Sequence, residues 1–81
     1  MVHFYKEHEI IINAIEFNPG RWYTDIVIMW QDGQMSANRP CTIWRLFETR
    51  SQAENHSLTL VKKWIDDGKP AVLPKRSRET A

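Results

Sequence analysis

The sequence predicts an α+β fold, β-β-β-α, in which a three-stranded antiparallel sheet (a meander) packs on one C-terminal α-helix. Three observations predict it: two stretches rich in β-branched residues separated by turn signals, a third extended stretch, and a capped stretch with apolar residues at helical spacing. With 81 residues, 42% of them hydrophobic and 26% charged, the chain has the composition of one small globular domain.

The first two strands carry the strongest β signals. We predict the first over residues 8–17 (HEIIINAIEF), which ends at the Asn-Pro-Gly turn signal of residues 18–20. The second is predicted over residues 21–30 (RWYTDIVIMW) and is followed by Asp-Gly at 32–33, a preferred pair for a tight hairpin. Both connections are short, so the strands should be antiparallel neighbours.

The third strand is predicted over residues 35–46 and contains Pro40. A proline has no backbone N–H to donate to a neighbouring strand. This strand should therefore lie at a sheet edge or begin after the proline.

The helix follows the third strand. Thr49 or Ser51 can cap it, and residues 51–54 (Ser-Gln-Ala-Glu) form a capping box. Gly68 and Pro70 are predicted to end the helix. The apolar stripe is formed by Ala53, Ser57, Leu60, Val61, Trp64 and Ile65.

The two faces of the predicted sheet are both partly apolar. On the second strand the even positions 22–30 form the natural floor for the helix, while the odd positions are only partly polar. The predicted core includes Trp22, Ile26, Ile28, Phe47, Ala53, Leu60, Trp64 and Ile65. One helix covers one face. The other face is expected to meet residues 71–73, a second copy of the chain or another protein, unless a small twisted sheet simply tolerates scattered apolar surface.

The predicted function is based on the sheet face that the helix does not cover. We expect a non-enzymatic interaction or accessory module that forms a homodimer or binds an unidentified protein partner. The candidate contact residues are Ile11, Ile15, Tyr23, Val27 and Met29.

Charge is divided unevenly along the chain. Residues 1–68, the predicted domain, carry seven Lys and Arg against nine Asp and Glu, a net charge of −2. Residues 69–81 carry four Lys and Arg against one Glu, a net charge of +3, and are predicted to be a flexible basic tail. The alternative function is therefore nucleic-acid binding through the sheet edge and tail. Its candidate residues are Arg39, Arg45, Lys75, Arg76 and Arg78.

Several classes of protein are disfavoured. No apolar run approaches the roughly 20 residues that span a bilayer, and residues 1–7 lack the pattern of a signal peptide. Because the only cysteine, Cys41, cannot form an internal disulfide, we expect a reducing, cytoplasmic location.

We find no catalytic or metal-ligating arrangement in the sequence. The three glycines are isolated at predicted turns, so no glycine-rich phosphate loop is present. His3, His8, His56 and Cys41 lack the spacing of a zinc site, and Cys41 has no histidine near it in sequence. We therefore expect no enzyme activity, no cofactor and no metal.

Two resemblances bear on the fold. The Gly-Arg-Trp of 20–22, the Asp-Gly of 32–33, the Phe-Glu-Thr of 47–49 and Ala53 resemble the layout of three-strand-plus-helix DNA-binding domains. Those are the domains of plant ethylene-response factors and the arm-binding domains of tyrosine recombinases. The similarity covers about half of the chain and implies the fold. In those families the sheet face that enters the major groove carries Arg and Trp, whereas the matching strand here has no cation among its odd positions 23–29.

A closer resemblance is to small uncharacterised bacterial β-β-β-α proteins. It is carried by the Gly-x-Trp of the second strand, residues 47–49, Ala53 and the helix ending at 63–68 (KWIDDG). This resemblance implies the fold and a bacterial origin and assigns no site.

Overall fold

The computed structural model describes residues 1–70. One antiparallel sheet, in the order β1-β2-β3-β4, packs on a single helix that follows it in the chain. The elements are β1 (Val2–Tyr5), β2 (His8–Glu16), β3 (Trp22–Asp32), β4 (Met35–Phe47) and α1 (Arg50–Asp66). The predicted α+β class is confirmed. The predicted number of strands is wrong, because the sheet has four strands and not three.

The additional strand is β1, and the turn that joins it to β2 explains why the sequence did not reveal it. Val2 pairs with Ile11 and Tyr5 with His8, so only residues 6 and 7 connect the two strands. Lys6 and Glu7 both have positive φ, 47° and 65°. Such a turn is ordinarily signalled by Asn-Gly or Asp-Gly, which tolerate this backbone, and Lys-Glu gives no such signal.

Contacts with the end of α1 hold this unusual turn. The Lys6 ammonium donates to Asp66 Oδ1 at 2.7 Å, and the Tyr5 hydroxyl donates to Asp66 Oδ2 at 2.8 Å. The first hairpin is thereby fastened to residues about 60 positions away in the chain.

Replacing Glu7 by glycine should stabilise the protein. Glu7 is exposed and has a φ of 65°, a left-handed backbone conformation that is unfavourable for a residue with a β-carbon. Relief of that penalty, less the extra entropy of glycine in the unfolded chain, leaves about 0.5–1 kcal/mol. Thermal unfolding followed by circular dichroism should show a rise of about 4 °C. The matched control Glu7→Ala keeps the β-carbon and should give no such rise; equal gains in both variants would contradict the explanation.

The Tyr5–Lys6–Asp66 contacts should make stability depend on pH. Hydrogen bonds from Lys6 and then Tyr5 lower the pKa of Asp66 below its ordinary 3.8. This contribution is complete above 3.8 and is lost as the pH falls through the lowered value. The hydrogen bond to Asp66 also raises the pKa of Lys6 above its ordinary 10.5, so its contribution is lost only as the pH rises beyond 10.5.

The measurement is the melting temperature of wild type and Asp66→Asn from pH 8 to pH 2. The wild type should melt higher at neutral pH, and the difference should shrink as the pH falls below 3.8 and through the lowered pKa of the native Asp66 carboxyl. A difference that stays constant over the whole range would show that the charge of Asp66 contributes nothing.

The strand that contains Pro40 lies at a sheet edge, as predicted. It does not begin after the proline: β4 runs from Met35, and Pro40 pairs with Val27 in its middle. An irregularity between Trp22 and Thr24 shifts the register near the end of β4, so that Phe47 lies opposite Trp22.

The core lies between the sheet and α1, and the even positions of β3 form its floor as predicted. Its buried hydrophobic residues are Ile10, Ile12, Ile26, Ile28, Cys41, Ile43, Ala53, Val61, Trp64 and Ile65. Three predicted core residues, Trp22, Phe47 and Leu60, are only half-buried. Trp22 and Phe47 pair where the sheet ends, and Leu60 packs at the margin of the core cluster.

Both ends of α1 are capped by local hydrogen bonds. The cap is Thr49, whose hydroxyl accepts from the Gln52 N–H at 3.1 Å, while the Gln52 side chain accepts from the Glu48 N–H at 3.2 Å. The capping arrangement therefore lies two residues before the predicted box at 51–54, because the helix already begins at Arg50. At the other end, Gly68 adopts φ 89° and ends the helix as predicted.

The domain is predicted to end at residue 68, and the structure describes two residues beyond that point, Lys69 and Pro70. Lys69 Nζ lies 3.1 Å from His8 Nε2, and the Pro70 carbonyl accepts from Trp64 Nε1 at 2.9 Å. Residues 71–81, which include Lys75, Arg76, Arg78 and the segment 71–73, lie outside the described residues.

Candidate protein-interaction face

Strand alternation and the register place one set of side chains on the side of the sheet opposite α1, which we call the open face. No described element outside the sheet packs on it, because α1 contacts β2, β3 and β4 through the other side. Its strand residues include Val2, Phe4, Glu9, Ile11, Asn13, Ile15, Tyr23, Asp25, Val27, Met29, Gln31, Ser36, Asn38, Pro40, Thr42 and Trp44.

An apolar row crosses all four strands of the open face. Val2 lies opposite Ile11, Ile11 opposite Val27, and Val27 opposite Pro40. Val2 is 55% exposed, whereas Ile11 and Val27 are half-buried by their neighbours. In the next row Phe4, 70% exposed, extends the apolar surface at the β1 edge.

A polar row lies beside the apolar one. Asn13 is opposite Asp25, and Asp25 is opposite Thr42. The Thr42 hydroxyl donates to Asp25 Oδ1 at 2.7 Å, which orients the carboxylate on the central strand. A shallow depression follows this row and is bounded by Val27, Pro40 and Trp44.

Aromatic rings close the far side of this depression. Trp44 is 67% exposed and stacks on Tyr23 with ring centroids 4.9 Å apart. Phe17, just after β2, meets the same tyrosine edge-on at 6.5 Å and is itself 61% exposed. Large apolar rings on a sheet surface are the groups that dominate the energetics of protein interfaces.

The five residues predicted for contact do lie together on the open face: Ile11, Ile15, Tyr23, Val27 and Met29. All five are half-buried, and the most exposed side chains of the face are others, chiefly Phe4 and Trp44. Phe4 was not predicted as a contact residue, because its strand, β1, was not predicted. Trp44 could have been found, because it follows the buried Ile43 and must point to the other side of the sheet.

The two described arginines of the nucleic-acid alternative lie away from the open face. The Arg39 guanidinium sits over the Trp64 ring at 5.8 Å, on the helix side of β4. Arg45 sits over Phe47 at 5.1 Å. The Phe47 ring packs against His56 of α1 with centroids 4.9 Å apart, which places Arg45 near the helix as well. Partial burial, and then the charge of Arg45, lower the pKa of His56 below its ordinary 6.5.

The charge of the open face is negative. Its strand residues include Glu9 and Asp25, and none of those within residues 1–70 is Lys or Arg. A surface of this sign repels phosphate groups and favours a cationic ligand.

Two of the residues considered as metal ligands, His8 and Cys41, are buried. His8 is buried; its Nδ1 lies 2.8 Å from the Lys6 carbonyl, and its Nε2 faces the Lys69 ammonium. A carbonyl only accepts and an ammonium only donates, so the imidazole carries its proton on Nδ1. Cys41 is buried in the core. Within residues 1–70 no group of three or more His, Cys, Asp or Glu side chains is placed to hold a metal ion.

In the part of the chain that the structure describes, no helix has the length and apolar character needed to cross a membrane.

Comparisons with protein-family models, with curated proteins and with solved structures found no match. The two resemblances noted in the sequence therefore stay predictions.

Proposed function

We propose that this protein is a small, non-enzymatic interaction or accessory module of the cytoplasm, which uses the open face for self-association or to bind a protein partner. One observation carries the proposal: the open face combines a continuous apolar row with exposed aromatic rings, of which Phe4 and Trp44 are 70% and 67% exposed. Burying a large apolar side chain yields roughly 1.5–3 kcal/mol, so a partner that covers these rings would gain stability from each.

The contrast between the two faces supports the proposal. The helix face buries its central apolar side chains completely, as the exposure of 0% for Ile10, Ile12 and Ile28 shows. The open face presents side chains of similar size to solvent. A contiguous apolar surface rimmed by polar residues is typical of an interaction site. The cytoplasmic location is supported by the cysteine content of the sequence, because a single cysteine, Cys41, cannot form a disulfide within the chain.

The first experiment measures solution mass by light scattering after size exclusion, over a wide range of protein concentration. Self-association through the open face should give a mass near twice 9.6 kDa that resists salt. Val27→Asp places a charge in the apolar row and should return the protein to a monomer. Asn55→Asp, which adds the same charge on an exposed helix position, should leave the dimer intact.

If the protein is a monomer, photo-crosslinking in cells tests the binding of a partner. A photoreactive phenylalanine analogue at position 4 or 44 should form adducts, whereas the same analogue at Met35, 71% exposed at the start of β4, should not. A monomer that forms adducts equally at all three positions, or at none, would remove the open face from the proposal.

The nucleic-acid alternative has less support, because Arg39 and Arg45 lie on or near the helix side and the open face is acidic. Salt separates the two functions. A complex that rests on phosphate contacts weakens steeply between about 50 and 200 mM salt. An apolar interface holds its affinity over that range or gains from it.

A further inference from the structure

We infer that the open face binds an arginine side chain of a partner protein, with the guanidinium held between the Asp25 carboxylate and the Trp44 ring. The inference deepens the proposed function and rests on it. It names the chemistry of the partner: an arginine flanked by apolar residues.

The carboxylate is already oriented for such a ligand. Asp25 lies on a central strand, where Thr42 donates to its Oδ1 at 2.7 Å. No described residue donates a hydrogen bond to Oδ2, and the side chain of Asn13 is exposed beside it in the same row. A fixed carboxylate with one oxygen open matches the planar donors of a guanidinium.

The exposed ring of Trp44 is the second part of the proposed arginine site. Trp44 and Asp25 line the same depression, and Trp44 is 67% exposed while its inner side stacks on Tyr23. The indole is the best ring for cation–π contact. Arginine suits this pair better than lysine, because its planar group can stack on a ring while it donates to a carboxylate, and it is less strongly hydrated.

The neighbouring surface indicates what flanks the arginine. The apolar row through Val27 and Pro40 lies on one side of the polar row, and the rings of Tyr23 and Trp44 lie on the other. Apolar side chains of the partner can cover both sides and exclude water, which strengthens the central ion pair.

The arginine is assigned to another protein and not to residues 71–81 of the same chain. The described chain ends at Pro70, whose carbonyl accepts from Trp64 Nε1 on the helix side of the sheet. Trp64 packs on Trp30 near the C-terminal end of α1, whereas Trp44 lies just before the helix begins. The chain therefore leaves the described fold on the opposite side of the sheet from the depression.

The test is an NMR titration of the full chain, labelled with 15N, with the capped tripeptide Leu-Arg-Leu. The signals of the Trp44 indole and of the amides of Asp25 and Thr42 should move together. The same tripeptide with citrulline, which keeps the shape of arginine without its charge, should bind about tenfold more weakly. Because this comparison uses the unaltered protein, it does not depend on how any variant folds.

Variants then identify the two groups. Asp25→Asn should weaken the arginine peptide about tenfold and remove its advantage over citrulline. Trp44→Leu should weaken it about fivefold. The matched control Glu48→Gln removes an exposed carboxylate outside the open face and should leave the affinity unchanged.

Three results would overturn the inference: equal binding of the arginine and citrulline peptides, signal changes confined to the helix face, or no binding at all. If the peptide binds only after Arg76→Gln and Arg78→Gln, the chain's own arginines hold the site and its assignment to a partner is wrong. Failure of the peptide test leaves the mass and crosslinking results as they are, so the proposed function is judged separately.

Discussion

Truncation of Trp64 to alanine should leave the protein only marginally stable at room temperature. The side chain is 4% exposed, packs edge-on against Trp30 with ring centroids 6.1 Å apart, and donates from Nε1 to the Pro70 carbonyl. Loss of a buried tryptophan costs about 3–5 kcal/mol. A domain of this size has a total stability of about 5 kcal/mol, so the variant should keep only about 0–2 kcal/mol, with between a few per cent and about half of it unfolded.

Urea denaturation followed by far-ultraviolet circular dichroism measures this effect. Trp44→Ala is the matched control, since the same truncation at a residue 67% exposed should cost little. Trp64→Phe keeps an aromatic ring and loses the N–H, and should fall between the two. If Trp64→Ala and Trp44→Ala unfold at the same urea concentration, α1 does not dock on the sheet as described.

The second large effect concerns a hydroxyl pair in the core. Thr24 on β3 and Ser57 on α1 are 1% and 0% exposed, and their oxygens lie 2.6 Å apart. Thr24→Val keeps the shape and leaves the serine hydroxyl without this partner. The expected cost is about 1–3 kcal/mol, which is the penalty for a buried polar group that loses its hydrogen bond.

A double-mutant cycle tests whether the two hydroxyls act together. Thr24→Val combined with Ser57→Ala removes both polar groups, so the double variant should be more stable than the sum of the single effects allows, by about 1 kcal/mol. Additive costs would show that each hydroxyl has another adequate partner and that the short contact contributes nothing.

The parts of the fold predicted from sequence are those with local signals. Asp-Gly at 32–33 and Asn-Pro-Gly at 18–20 mark the turns on either side of β3, and Gly68 ends the helix. The first hairpin has no such signal. Its turn at Lys6 and Glu7 adopts positive φ in spite of its residues, and its contacts reach Asp66 at the far end of the helix. A contact between residues so distant in sequence leaves no local pattern.

The candidate site was predicted in part for the same reason. Alternation along β2 and β3 identifies Ile11 and Val27, because both strands are regular and pair without interruption over 9–16 and 22–29. Phe4 depends on recognising β1. Trp44 lies close to the irregular pairing at Trp22. Its position on the open face can be deduced only from the burial of Ile43, because adjacent side chains of a strand point to opposite faces of the sheet.

Pro40 also bears on how this protein avoids aggregation. β4 is an edge strand of 13 residues. Its outer side is long enough to pair with strands of other molecules and to start a fibril. A proline in its middle interrupts the row of N–H donors and leaves two shorter segments, 35–39 and 41–47. The chain can therefore present an apolar sheet face to solvent while its longest free edge resists the growth of cross-β assemblies.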